Sequence, residues 1–188
     1  MILKHLKTQT ATLHQKTEED NLAKFILDHS IDVATYTQLL QQNYLAYARI
    51  DRILEANSPS LDENLKVYAD AAKSKALAKD LTDLDAEIPQ VESTEEQFSS
   101  AYLLGLIYVV EGSMMGGLLI RKKLESCEHL KDKTTHNFFG KSAPEVMQRW
   151  KNFTGAVEAK PYSEQEHQDA VDGAHAAFMI FKDSYSYA

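Results

Sequence analysis

The sequence predicts an all-α protein. Glycine and proline are scarce, at 7 and 4 of 188 residues, and apolar residues recur at three- and four-residue spacing over long stretches. No alternating run is long enough for a strand. At this length a single domain over residues 1–188 buries a core without disulfides. The hydrophobic share of 44% and charged share of 26% are those of a globular chain.

Taken in order, a first helix is expected from about Leu3 to Asp20, then a short one around Ala23 to Asp28. Asp32 is a suitable N-cap for a long helix to about Asn57, with Tyr36, Leu39, Leu40, Tyr44, Tyr47, Ile50 and Leu54 as its apolar face. Ser58-Pro59-Ser60 breaks the chain. Helical spacing resumes from Leu61 to about Leu84, with an interruption near Ser74, and Ile88-Pro89 marks a further loop. Ser93-Thr94-Glu95-Glu96 reads as a capping box that opens a helix to about Cys127. Ser142-Ala143-Pro144-Glu145 is a second such start, with proline in the first turn, where its missing N–H costs little. Ser163-Glu164-Gln165-Glu166 is a third, for a helix to about Asp183.

Several function classes recede on composition. A formal net charge of −8 and the lack of a basic patch disfavour nucleic acid as a partner, although a local basic rim around a small anion stays compatible. The single cysteine, Cys127, forms no internal disulfide, and there is no Cys-x-x-Cys pair. The start, Met1-Ile2-Leu3-Lys4-His5-Leu6-Lys7, lacks the apolar core of a signal peptide, so the expected compartment is the cytoplasm.

The segment Ala101 to Ile120 is apolar nearly throughout, yet it holds Gly105, Gly112, Gly116 and Gly117. Each glycine inside a helix costs roughly 1 kcal/mol relative to alanine, so the cluster needs a reason. One reading is a membrane span, which Glu111 near its centre opposes at a cost of roughly 3 kcal/mol. A second is close approach of a neighbouring helix at Gly112-x-x-x-Gly116. A third is that the bare stripe, with Ser113 and Gly117 alongside, admits a flat ligand against the backbone. Spacing leaves the second and third readings open.

Among seven histidines, His14 has the most informative surroundings. Leu3, Leu6 and Leu13 suggest an inner side, and Lys7, His14 and Glu18 fall on one stripe at steps of seven and four. A neutral imidazole suits haem iron, and a carboxylate one turn away can orient its ring. A helix-stabilising His–Glu pair explains the same spacing. His5, His29, His129, His136, His167 and His175 read as surface or partly buried residues. Glu164-x-x-His167 and Asp172-x-x-His175 match the Glu-x-x-His element of di-iron bundles, but both sit on one expected helix.

Two segments together resemble the haem oxygenase family in its bacterial branch. Thr12-Leu13-His14-Gln15-Lys16-Thr17-Glu18 is similar to the family's proximal helix. Leu106-Ile107-Tyr108-Val109-Val110-Glu111-Gly112-Ser113-Met114-Met115-Gly116-Gly117 is similar to its distal helix. Ala177-Phe178-Met179-Ile180-Phe181 is weakly similar to its last helix.

The resemblance implies an all-α, multihelical single domain with haem between the first helix and the glycine-rich distal helix. Haem is then cofactor and substrate, with His14 as the metal ligand and Lys7, Glu18, Gly112, Gly116 and Gly117 around it. Gly112, Ser113 and Gly116 line the reacting face, and Ser113, an aspartate in the mammalian branch, holds water there. A neutral histidine leaves oxygen chemistry directed at the ring, whereas a thiolate favours O–O cleavage. The implied reaction converts haem to biliverdin, carbon monoxide and ferrous iron. It uses O2 and electrons from an external ferredoxin, flavodoxin or other reductase, with a downstream bilin acceptor as a further partner. The expected state is a monomer with no membrane contact. Met114 and Met115 occupy the distal turn; a thioether on iron would instead suit a non-catalytic haem carrier or sensor.

Overall fold

The computed structural model describes residues 1–127, 130 and 136–187. Among these are seven α-helices and no strand: α1 (Ile2–Asp20), α2 (Lys24–Leu27), α3 (Val33–Ala56), α4 (Ala72–Asp83), α5 (Ser100–Leu124), α6 (Ala143–Glu158) and α7 (Glu164–Ser184). The all-α expectation holds. Short 3₁₀ turns at Ser58–Ser60 and Lys66–Tyr68 fill the stretch between α3 and α4.

Three of the four predicted caps are present where the sequence places them. Asp32 accepts from Thr35 N at the start of α3, and Ser142–Glu145 and Ser163–Glu166 form reciprocal capping boxes on α6 and α7. Two elements differ. The helix expected from Leu61 is α-helical only from Ala72, just before the expected interruption near Ser74; the 3₁₀ turn Lys66–Tyr68 and a positive φ of 52° at Ala71 precede it. The helix expected from Ser93 begins at Ser100, with Ser99 as its cap. The cause is Asn57, which is fully buried after α3. Its side-chain amide donates to Glu96 O at 2.9 Å and its carbonyl accepts from Phe98 N at 2.8 Å, so the segment is held extended. Thr94 also accepts from Glu96 N, a local turn that competes with helix.

α5 is the central helix. It packs most extensively on α7 and also meets α6, α2 and α3, while α7 lies against α1 and α3. The α5–α7 crossing brings backbone onto backbone. A Cβ at Gly105 would sit 2.0 Å from the Ala170 carbonyl oxygen, and one at Gly173 would sit 2.0 Å from that of Tyr102. Only glycine fits there. Buried Ala170, Ala174 and Ala177 continue the small face of α7.

α1, α5 and α7 run in the same direction. Along α1 and α7 the pairs are His5 with His167, Gln9 with His175 and His14 with Phe178. Along α5 and α7, Ser99 meets Asp169, and Ser113 and Phe181 share Tyr47 of α3 as a neighbour.

The 136–139 turn is pinned by two buried groups. Asp80 accepts from Asn137 N, Asn137 Nδ2 and Phe138 N, and Tyr36 lies 2.7 Å from His136 Nδ1. Burial drives the Tyr36 phenol above its usual range, so it keeps its proton and donates to the ring. Burial also pulls His136 below its usual value of 6.5, with Asp80 opposing. The unfolded chain then binds a proton that the folded ring resists, and stability falls as pH drops through about 6.5 towards the lowered folded value. Melting temperatures between about pH 7.5 and about 5.5 should fall more for the wild type than for His136→Gln. Equal losses would remove His136 from the acid response.

Candidate functional site

Thr10 on α1 lies near Tyr108 on α5, its own hydroxyl donating to Leu6 O at 2.8 Å. The two helices approach each other there rather than packing along their lengths. His14 and Gly112 each lie four residues, one helical turn, beyond this approach in the shared direction. The surfaces past this point are open. The His14 side chain is 57% exposed, and Met115, Gly116 and Leu119 are exposed on α5. Phe178 of α7, itself buried, meets the His14 ring edge-on at 5.9 Å between centroids.

The glycines divide by environment. Gly105 is a packing glycine. At Gly116 a Cβ would meet nothing within 4 Å, and at Gly112 and Gly117 it would make ordinary 3.8 Å contacts with Trp150 and Phe139. Helix–helix approach therefore does not explain Gly112-x-x-x-Gly116. The stripe is a shallow bare surface with room on it.

On α1, the His14 Nδ1 stands 3.5 Å from a Glu18 carboxylate oxygen, one turn on. Exposed, this pair contributes under about 1 kcal/mol to stability, so folding alone gives it little purpose. Lys7 is exposed two turns earlier on the same stripe. On the α5 flank, Ser113 Oγ donates to Val110 O at 2.8 Å and lies 2.7 Å from Tyr47 Oη. With the serine proton committed to the helix, the tyrosine O–H is the donor between them. Burial holds that phenol well above its usual range, so it stays protonated. Ser113 keeps one lone pair and can accept from water. Met114 is buried in the core, which leaves Met115 as the methionine on the open side.

Glu111, which in the sequence only opposes a membrane span, is the centre of a buried ion cluster. This carboxylate is 2% exposed and takes Lys73 Nζ at 2.7 Å, Arg149 Nε at 2.8 Å and Arg149 Nη2 at 3.0 Å. Arg149 also reaches Asp70 at 3.0 Å and lies over the Tyr68 ring. Burial lowers Lys73 from its usual range, with Glu111 opposing. Burial is the largest single effect on Arg149 and works against its charge, but Glu111 and Asp70 together outweigh it and raise the guanidinium. A charge within an apolar run needs partners, and that was the available signal. α5 is long and apolar enough to cross a membrane by length and composition, but its Glu111 is an interior ion-pair member of a helical bundle.

The di-iron pattern does not assemble. Glu164 and His167 line a cavity of about 460 Å³ with His5, Tyr162 and Gln168. Asp172 instead accepts from Gln168. Among the described residues no three His, Cys, Asp or Glu side chains gather as a metal-ligand group. His129 lies outside the described residues.

The family model described as heme oxygenase matches residues 1–186. A heme oxygenase of Xanthomonas campestris pv. campestris is 30% identical over 155 residues, covering 80% of this chain and 88% of the relative. Heme oxygenase PigA of Pseudomonas aeruginosa is 31% identical over 121 residues, covering 61% of this chain and 59% of the relative. In fold, the chain is similar to the NO- and CO-bound heme oxygenase of Neisseria meningitidis. The TM-score is 0.72 at 20% identity, over 100% of this chain and 94% of that one. The heme oxygenase of Leptospira interrogans gives 0.71 at 17% identity, over 100% and 99%.

The two kinds of glycine make opposite predictions. Gly116→Ala should stabilise the ligand-free protein by about 0.5–1 kcal/mol, the helix-interior difference between the residues. Gly105→Ala should destabilise it by about 3 kcal/mol through backbone overlap. Denaturant unfolding checks both, and equal destabilisation would return the stripe to helix packing.

Proposed function

Because the chain belongs to the haem oxygenase family, a family of enzymes, we propose that it binds haem in the cleft between α1 and α5 and degrades it. The products are biliverdin, carbon monoxide and ferrous iron, formed with O2 and electrons from an external donor. The observation that carries this reading is the bare α5 surface at Gly112 and Gly116, beginning one turn past the level at which Tyr108 nears Thr10, as His14 lies one turn past it on α1.

His14 is the iron ligand. The Glu18 carboxylate, 3.5 Å from Nδ1, favours a proton on that nitrogen, the tautomer that leaves Nε2 unprotonated and able to bind metal. Lys7 lies about 10 Å along the helix from His14, within reach of a propionate at the cleft's edge. On α5 the backbone of Gly112 and Gly116 lets a flat ring approach the helix, and Gly117 keeps the adjoining flank low. Bound haem supplies the iron at which oxygen is activated and the ring that is oxidised. Ser113 holds water by accepting from it, and Tyr47, donating into Ser113, fixes that polarity. No carboxylate is needed at this position for water to be oriented.

The electron donor is a ferredoxin, flavodoxin or other reductase, and a bilin acceptor takes the product. The chain works as a monomeric single domain in the cytoplasm, with neither nucleic acid nor membrane as partner. Met115, 39% exposed beside Gly116, is the one observation favouring a carrier or sensor with His/Met ligation.

His14→Ala should lower turnover at least about a hundredfold and change the axial-ligand spectrum. Gly116→Leu should weaken haem binding at least about tenfold by filling the bare surface. Turnover unchanged in the first would sink the ligand assignment; affinity unchanged in the second would remove haem from the stripe.

A further inference from the structure

Past Met114, α5 is only partly buried, with Leu118 and Ile120 half-buried against the core. Its buried residues run through Val110, Glu111 and Met114, and the next is Leu124. Three glycines fall in this stretch, and glycines are where helices bend. Yet the surface offered to haem depends on which residues face the cleft. A helix rotated by one residue would present Glu111 and Met115, or Ser113 and Gly117, in place of Gly112 and Gly116.

Glu111 adjoins this stretch. Both of its oxygens are occupied, and Arg149 binds side-on through Nε and Nη2, a fork that defines direction as well as distance. Lys73 approaches from α4 and Arg149 from α6, so one carboxylate ties α5 to two other helices. At about 100° per residue, Glu111 and Ser113 point to nearly opposite flanks of α5, with Gly112 and Gly116 between them. The Tyr47–Ser113 bond holds one flank and the Glu111 cluster the other.

We propose that Glu111 is a positioning residue for the haem cleft: through Lys73 and Arg149 it fixes the rotation of α5 so that the Gly112–Gly116 stripe faces His14. The inference rests on the haem-degrading reading of the cleft. Apolar packing could supply the same stability, since buried ion clusters are often replaced by hydrophobic residues without loss. What apolar contacts lack is a preferred direction.

The test compares the wild type with Glu111→Leu/Lys73→Met/Arg149→Leu and with Glu111→Gln. Melting, amide exchange at residues 112–117 without ligand, and haem kinetics are measured below both melting transitions. The triple variant should melt close to the wild type. Exchange at 112–117 should be at least about tenfold faster. Turnover and haem affinity should each fall at least about tenfold. Wild-type exchange and turnover in a folded triple variant would overturn the proposal. Should the triple variant not fold, Glu111→Gln decides: tenfold faster exchange with lost turnover supports the positioning role, and wild-type values of both overturn it. The exchange arm uses no haem, so a wild-type protein that bound none would end the functional reading and leave this arm to be judged separately.

Discussion

The contact between α5 and α7 at Gly105 and Gly173 is the constraint on which the rest of the structure depends. With each Cβ position lying 2.0 Å from a carbonyl oxygen of the facing helix, the two backbones cannot be parted by a side chain and still cross there. That closeness places α7 in the angle between α1 and α5. It also sets the shared direction in which all three run. Thr10 and Tyr108 bring α1 and α5 near each other at one level, and a turn further along His14, Met115 and Gly116 are exposed.

The buried charges act on the same helix from the other side. An ion cluster inside a protein adds little net stability, because desolvation offsets most of its attraction, while losing one partner costs about 3–5 kcal/mol. Glu111, Lys73 and Arg149 therefore commit α5, α4 and α6 to one arrangement without making it much more stable than an apolar core would. The bare stripe needs that commitment, having given up the side chains by which a helix normally keys into its neighbours. Ser113 and Tyr47 supply a second directional contact, and they also leave a single acceptor site free on the serine.

Much of this was legible in the sequence, for physical reasons that differ by element. Helices α1, α3, α6 and α7 announce themselves because caps and periodicity are local, as at Asp32 and the two Ser–Glu boxes. The start of α5 was misread because Asn57, distant in sequence, holds residues 96–98 extended against a local capping signal. The glycines of α5 looked alike in the sequence. Only the facing helix separates Gly105, which has α7 against it, from Gly116, which has nothing. His14 and Gly112 could be nominated from their motifs, but the approach of Thr10 to Tyr108 that puts them at one level involves separate helices. Glu111 signalled a need for partners, yet Lys73 and Arg149 each lie 38 residues away on elements whose packing no local rule supplies.

The central claim is that the cleft between α1 and α5 holds haem for its own degradation. The most direct measurement is an optical titration of the pure protein with haemin, followed by reductant in air. The account predicts a Soret band that saturates at one haem per chain and then bleaches while bilin absorption rises. A band that persists unchanged after reduction, or none that saturates, would contradict it.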